Sequence, residues 1–151
     1  MDNAMFDGGG GDIDGIAEIT EIVAATGKLI AIGIDSYGAS EMAEAVKGHG
    51  AEVVSVPQSW KLTPAATWIE RRLADGVLSH SGSTLLRWNM GNVVVERRGN
   101  AMSISKATIV GPGKIDGIAA MLTGVAAFID AVAKTDDEGR SYLETDDLLV
   151  F

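Results

Sequence analysis

Lys114-Ile115-Asp116-Gly117 opens the longest apolar stretch of the chain, which runs to about residue 134 as Ile, Ala, Met, Leu, Val and Phe with no charge between Asp116 and Asp130. The stretch reads as one helix. A lone carboxylate at its head has two readings. An Asp in the first turn satisfies free backbone amides and the helix dipole. It can also be a metal ligand, and that role needs a second acid delivered from elsewhere in the chain. Asp35 is the acid the sequence offers.

Asp35 ends the run Leu29-Ile30-Ala31-Ile32-Gly33-Ile34 and begins Ser36-Tyr37-Gly38. A continuous apolar run of this length is expected as a central strand buried on both faces. Open α/β sheets place their sites at the carboxyl ends of such strands. The plainer reading is an Asp that starts the turn before the next helix. A run ending in Asp also has the look of the magnesium-binding strand of a P-loop ATPase, but no P-loop exists in the chain. The Gly8 to Gly11 run has no Lys-Ser or Lys-Thr after it and no strand before it, so it reads as a linker.

With 151 residues and 46% hydrophobic content, the chain can bury one real core. The absence of cysteine excludes disulfides and thiolate metal sites. No apolar run approaches the ~20 residues of an uncharged membrane span. The acidic start Met1-Asp2-Asn3 is wrong for a secretory signal. Net charge is −9, yet the charge is uneven: residues 61–114 carry eight Lys/Arg against three acids, while both flanks are acidic. A basic central block suits a phosphate backbone, or is simply a solvated face.

Turn and cap signals order the rest. A helix is expected over residues 13–26, capped by Asp12 or Asp14, with Ile16, Ile19, Ile22 and Val23 as its inward stripe and Gly27 as its stop. A short helix over residues 39–47 ends at Gly48-His49-Gly50, where His49 is a loop residue, and residues 52–56 form the next strand. The alternation predicts a parallel βαβ unit. After the loop Pro57-Gln58-Ser59-Trp60-Lys61-Leu62, Thr63 is expected to cap a helix with Pro64 in its first turn. That helix runs to Asp75, turning Trp68, Ile69 and Leu73 inward and Arg71 and Arg72 outward. Strands over residues 93–98 and 102–106 are expected as a hairpin turning at Gly99-Asn100, with Arg97, Arg98 and Lys106 clustered beside it. A cation-edged ribbon is a reasonable DNA contact. Organisation is read as a flexible leader 1–11, a domain 12–135 and a tail 136–151 whose apolar end, residues 148–151, forms an edge strand.

Taken in order, several of these motifs resemble one family. They are Ile32-Gly33-Ile34-Asp35, Val53-Val54-Ser55-Val56-Pro57-Gln58-Ser59, Leu62-Thr63-Pro64, Leu78-Ser79-His80-Ser81-Gly82, Leu86-Arg87-Trp88, Asn92-Val93-Val94-Val95, Lys106, Lys114-Ile115-Asp116-Gly117-Ile118-Ala119-Ala120 and Ser141-Tyr142-Leu143-Glu144. The ordered set resembles the C-terminal nuclease domain of tailed-phage terminase large subunits, over about residues 12–147.

That resemblance implies a ribonuclease-H-like α/β fold, a mixed sheet flanked by helices. It implies a magnesium- or manganese-dependent endonuclease with a two-ion site that cuts double-stranded viral DNA during packaging, in the cytoplasm of a bacterial host. Asp35 and Asp116 are then the catalytic metal ligands. Lys114, Lys106, Arg97, Arg98 and Arg87 are the DNA-binding residues. His80 is an auxiliary candidate, or a structural hydrogen-bonding residue. Trp88 and Asn92 are expected to pack and to fix a turn. Expected partners are double-stranded DNA, an upstream ATPase segment or other terminase subunits, and further copies of the chain, with no membrane.

The family's first catalytic acid lies on a strand upstream of the one ending in Asp35, and the chain is expected to begin too late to hold it. Asp7, Asp12 and Asp14 do not match that position. The expectation is therefore a nuclease domain with two of three acids, N-terminally incomplete. The alternatives are a degenerate non-catalytic domain for assembly or DNA contact, and an unrelated small-molecule α/β enzyme with a deep apolar pocket at its strand ends.

Overall fold

The computed structural model describes residues 11–37, 40–107, 113–137 and 149–150. The Gly-rich leader before residue 11, Pro112 and the Ser141-Tyr142-Leu143-Glu144 motif lie outside them. In chain order the elements are α1 (Asp12–Ala25), β1 (Ala31–Asp35), α2 (Ser40–Val46), β2 (Glu52–Val56), a 3-10 turn (Ser59–Leu62), α3 (Thr63–Ala74), β3 (Leu78–Ser79), α4 (Thr84–Gly91), β4 (Val93–Arg98), β5 (Ala101–Lys106), α5 (Asp116–Asp137) and β6 (Leu149–Val150).

β1 and β2 pair in parallel, from Ala31 opposite Glu52 to Asp35 opposite Val56, with α2 between them in sequence. The expected βαβ unit is present. The described strands do not join into one mixed sheet. They form three two-stranded pairings: β1 with β2, β3 with β6 in parallel, and β4 with β5 antiparallel. β1 is thus bonded on one edge only among the described residues, and its residues 31–34 are half-buried. This corrects the reading of a strand buried on both faces. Of the tail's apolar end, Leu149 and Val150 are described and pair with β3.

α5 is the core helix. Ile118, Leu122, Val125, Ala127 and Ala131 are buried, against Val56, Leu62, Ala65, Ile69, Leu78 and Met102 for the most part. Its residues 116–134 are long and apolar enough to cross a membrane by length and composition, and a third of that window is buried in the protein. Gly33 explains how closely β1 approaches it. A Cβ on Gly33 would collide with the Thr123 carbonyl and stand 3.0 Å from the Ala127 methyl. Only hydrogen fits there.

α1 departs most from expectation. Gly11 caps it without a side-chain bond, because Asp12 and Asp14 already lie within the first turn. Gly27 stops it at φ 71°, in the left-handed region that glycine tolerates. Ile16, Ile19, Ile22 and Val23 face outward, Ile22 being 61% exposed. The inward residues are Ile13, Ala17, Thr20 and Ala24, of which Thr20 is buried with its hydroxyl donating to the Ile16 carbonyl at 2.8 Å. Apart from Ile13 the inward residues are small, and Ile16, Ile19, Ile22 and Val23 are left exposed.

Thr63 does not cap α3. It is the first helical residue, preceded by the 3-10 turn, and Pro64 follows in the first turn. Ile69 is buried, but Leu73 is exposed at the helix end. Arg72 lies over the Trp68 ring at 5.1 Å, and Trp68 meets Phe128 edge-on at 5.8 Å. Helix α4 was not anticipated. Ser83 caps it, its Oγ accepting the Leu86 amide at 3.1 Å.

Candidate metal and nucleic-acid site

α5 runs antiparallel to β1 and β2. Near its C-terminal end, Lys134 Nζ lies 2.6 Å from Glu52 Oε1, at the start of β2. Further toward its N-terminus, Thr123 Oγ1 accepts from Gln58 Nε2 at 3.2 Å, beyond the end of β2. Gly33 abuts Thr123 from the side of β1. Asp116, seven residues before Thr123, therefore stands about 10 Å further along the helix at 1.5 Å per residue. Asp35, two residues beyond Gly33, rises about 7 Å along its strand in the same direction. Asp35 at the end of β1 and Asp116 at the start of α5, 81 positions apart in sequence, thus lie toward the same end of the β1–α5 contact.

Both carboxylates are exposed. Asp35 Oδ1 accepts the Tyr37 amide at 3.1 Å, the turn-starting bond of an Asx turn, so its plain structural role is present and leaves Oδ2 open. Asp116 is in the first turn of α5, and no hydrogen bond from a described residue reaches its carboxylate. Among the described residues no group of three His, Asp or Glu gathers that would hold an ion. Magnesium is commonly bound through one or two carboxylates with water and phosphate completing its shell. Asp35 and Asp116 fall short of the expected two-ion set, which requires more carboxylate oxygens than two side chains provide.

The head of α5 is fixed by two asparagines. Asn89, only 3% exposed, accepts the Gly117 amide on Oδ1 at 2.8 Å and donates to the Leu85 carbonyl at 3.1 Å. Asn92 donates to the Lys114 carbonyl at 3.1 Å, and its own carbonyl accepts the Ala107 amide at 2.7 Å. Asn92 thus does the turn-fixing work expected of it. It ties the base of the β4–β5 hairpin, where Lys106 stands opposite Val93, to the start of α5. Lys106 and Lys114 are exposed there, with no carboxylate of a described residue in ion-pair range of either. Asn89 was missed in the sequence. Its signal was a polar residue inside an apolar helical pattern, which must find partners once buried.

The expected cluster of Arg97, Arg98 and Lys106 does not form. The antiparallel register sets Arg98 opposite Ala101 and Val93 opposite Lys106, so the arginines lie at the turn end and the lysine at the base. Five residue steps in a strand span about 17 Å. Arg97 pairs with Glu70 of α3 at 3.2 Å, and Arg98 stands 3.9 Å from Glu96, all exposed. Arg87 on α4 is exposed and lines a cavity of about 200 Å³ with Ile69, Leu78, His80, Leu86 and Met121. His80 Nδ1 accepts the Gly82 amide at 3.0 Å, the structural hydrogen bond weighed for it. Trp88 is exposed rather than packed inside. The apolar cavity lies among α3, β3, α4 and α5, not at the ends of β1 and β2 where a small-molecule α/β enzyme would place it.

The described residues thus form a mixed α/β arrangement in which Asp35, Asp116, Lys106 and Lys114 are exposed, with no ion pair to either lysine among the described residues. Residues 1–131 match the family described as terminase large subunit, endonuclease domain, and the chain belongs to that family. No curated protein and no solved structure matches it.

Proposed function

We propose that residues 12–135 form the part of a phage terminase large subunit that cuts double-stranded viral DNA, with Asp35 and Asp116 as ligands of a magnesium or manganese ion. Support comes from the chain directions, which bring the end of β1 with Asp35 and the start of α5 with Asp116 toward the same end of the molecule. Two exposed acids near one another repel unless a cation lies between them. A bound divalent ion would supply an activated water and stabilise the leaving oxygen. Asp35 and Asp116 hold the ion, and Lys114 neutralises a phosphate beside it. Lys106 and Arg87 track the backbone on either side. Arg97 and Arg98 reach it only after exchanging their exposed carboxylate partners for phosphate, an exchange that costs little at the surface. The partners are double-stranded DNA, an ATPase segment or other terminase subunits, and a second copy paired through the open edge of β1, in the cytoplasm of a bacterial host.

A second reading has support in one observation. With no third acid beside Asp35 and Asp116 among the described residues, the domain would be non-catalytic and serve assembly or DNA contact. Manganese titration separates the two. On the first reading the chain binds manganese weakly, nicks plasmid DNA slowly, and loses both in Asp116→Ala. Equal nicking by the two proteins would overturn the assignment of Asp116, and no manganese binding by either would favour the non-catalytic role.

A further inference from the structure

Among the described residues, Ser59 is the one non-glycine with positive φ, at 76°. An L side chain enters that region only where its surroundings force it, and such strain gathers at working sites. The residue it turns is Trp60, an indole 60% exposed to solvent. Slack in the chain does not account for that exposure. Before it, Gln58 is bonded to Thr123 of the core helix. After it, Leu62 is buried, and the Thr63 hydroxyl accepts the Met102 amide at 2.9 Å and lies 2.6 Å from the Trp60 carbonyl. The loop is pinned at both ends, and the Ser59 twist sends Leu62 inward and Trp60 outward.

The position of this ring matters as much as its exposure. Asp35 pairs with Val56, so the loop leaves the sheet beside the first candidate ligand. Met102, to which the loop is bonded, lies opposite Arg97 in the hairpin. Exposed Lys61 follows the indole directly. An exposed aromatic side chain thus stands in a loop that leaves the sheet beside Asp35, is bonded to the hairpin strand at Met102 and carries Lys61 next to it. We propose that Trp60 is a DNA-binding residue that stacks on a nucleobase freed from its neighbours at a strand end or a distorted step, while Lys61 meets the adjoining phosphate. Every base offers a π face, so such a contact is sequence-tolerant. It serves an enzyme that must hold ends of varied sequence. The proposal rests on the reading of the domain as a DNA-cutting one.

The test uses the full chain without divalent ions, so that nothing is cleaved. Binding to a short single strand, to a blunt duplex and to a duplex with one unpaired base is measured by fluorescence anisotropy for wild type, Trp60→Ala, Trp60→Phe and Asp116→Ala. Trp60→Ala is expected to weaken the single strand and the unpaired-base duplex on the order of tenfold, the usual cost of removing one stacking platform. Trp60→Phe should keep most of the affinity, and the slope of affinity against salt should not change, because no phosphate contact is lost. Indole emission should be quenched on binding in wild type and much less in Trp60→Ala. DNA binding that is equal in wild type and Trp60→Ala, without quenching, overturns the stacking role and leaves the nuclease reading standing. Absence of DNA binding in every protein overturns both. Self-association lost in Trp60→Ala while DNA binding persists assigns the indole to a protein contact, and the proposal falls. Should Trp60→Ala misfold, Trp60→Phe and the quenching of wild type carry the same decision.

Discussion

Helices α1 and α5 are alike on paper and opposite in the folded protein. Each starts with an acid in its first turn and continues through a run of aliphatic residues. α5 buries its apolar residues, with Leu122 and Val125 almost inaccessible, whereas α1 turns four β-branched side chains out to solvent. The difference lies in what surrounds them. α5 is clasped by β1, α3 and α4, while α1 leans mainly on α2. An aliphatic stripe states what a helix is able to bury, and the neighbours decide whether it does.

The comparison is most exposed to failure at Leu122. Leu122→Ala should cost about 3 kcal/mol in urea unfolding, as expected for a large aliphatic removed from a closed core. A loss near zero would mean that α5 is not the core helix. Asn89→Ala comes next, at about 2 kcal/mol, because it removes a side chain only 3% exposed that bonds both the Gly117 amide and the Leu85 carbonyl. Its effect should extend to the head of α5, loosening manganese at Asp116, whereas Leu122→Ala leaves the residual affinity of the folded fraction unchanged. Ile22→Ala on α1 should shift stability by no more than about 0.5 kcal/mol. If it costs as much as Leu122→Ala, the outer face of α1 is covered in solution by another surface. The smallest effect belongs to Lys134, held by Asp130 and then Glu52, which push its ammonium pKa up from 10.5 to about 12. A raised pKa stabilises the fold while the group is charged. The slight advantage of wild type over Lys134→Met should therefore hold below pH 10.5, fade as pH rises through about 12, and shrink in salt. Thermal melts along that pH range would show it.

Much of the architecture was legible because its causes are local. Gly27, Gly76 and Gly99 each take the left-handed φ that a helix stop or a hairpin turn requires. The turn at residues 99–100 sets the register of β4 against β5 with no help from elsewhere. Helix α4 is hard to read from the sequence because its apolar pattern is only eight residues long. The inward face of α1 was misread because isoleucine outweighs alanine in any hydrophobic count, while close packing favours the smaller side chain. Of the candidate site, the two acids and the lysines were visible in the chain. The separation of Lys106 from Arg97 and Arg98 follows from strand register, and the role of Asn89 follows from burial. Neither can be seen before the strands and helices are set in place.

The sequence by itself determined most of the helices and strands, α4 excepted, where glycines such as Gly27 and Gly76 stop them, and the family to which the chain belongs. These depend on neighbours a few residues apart. Only the tertiary structure decided that Asp35 and Asp116 lie toward the same end of the molecule, that Trp60 is held outside, and which helix keeps its aliphatic face dry. Those outcomes depend on contacts between segments far apart in the chain, such as Gly33 against Thr123 and Glu52 against Lys134. No local preference encodes the direction in which a helix crosses a strand. That direction is set by burying the largest apolar area that the backbone, through a glycine at the point of closest approach, allows.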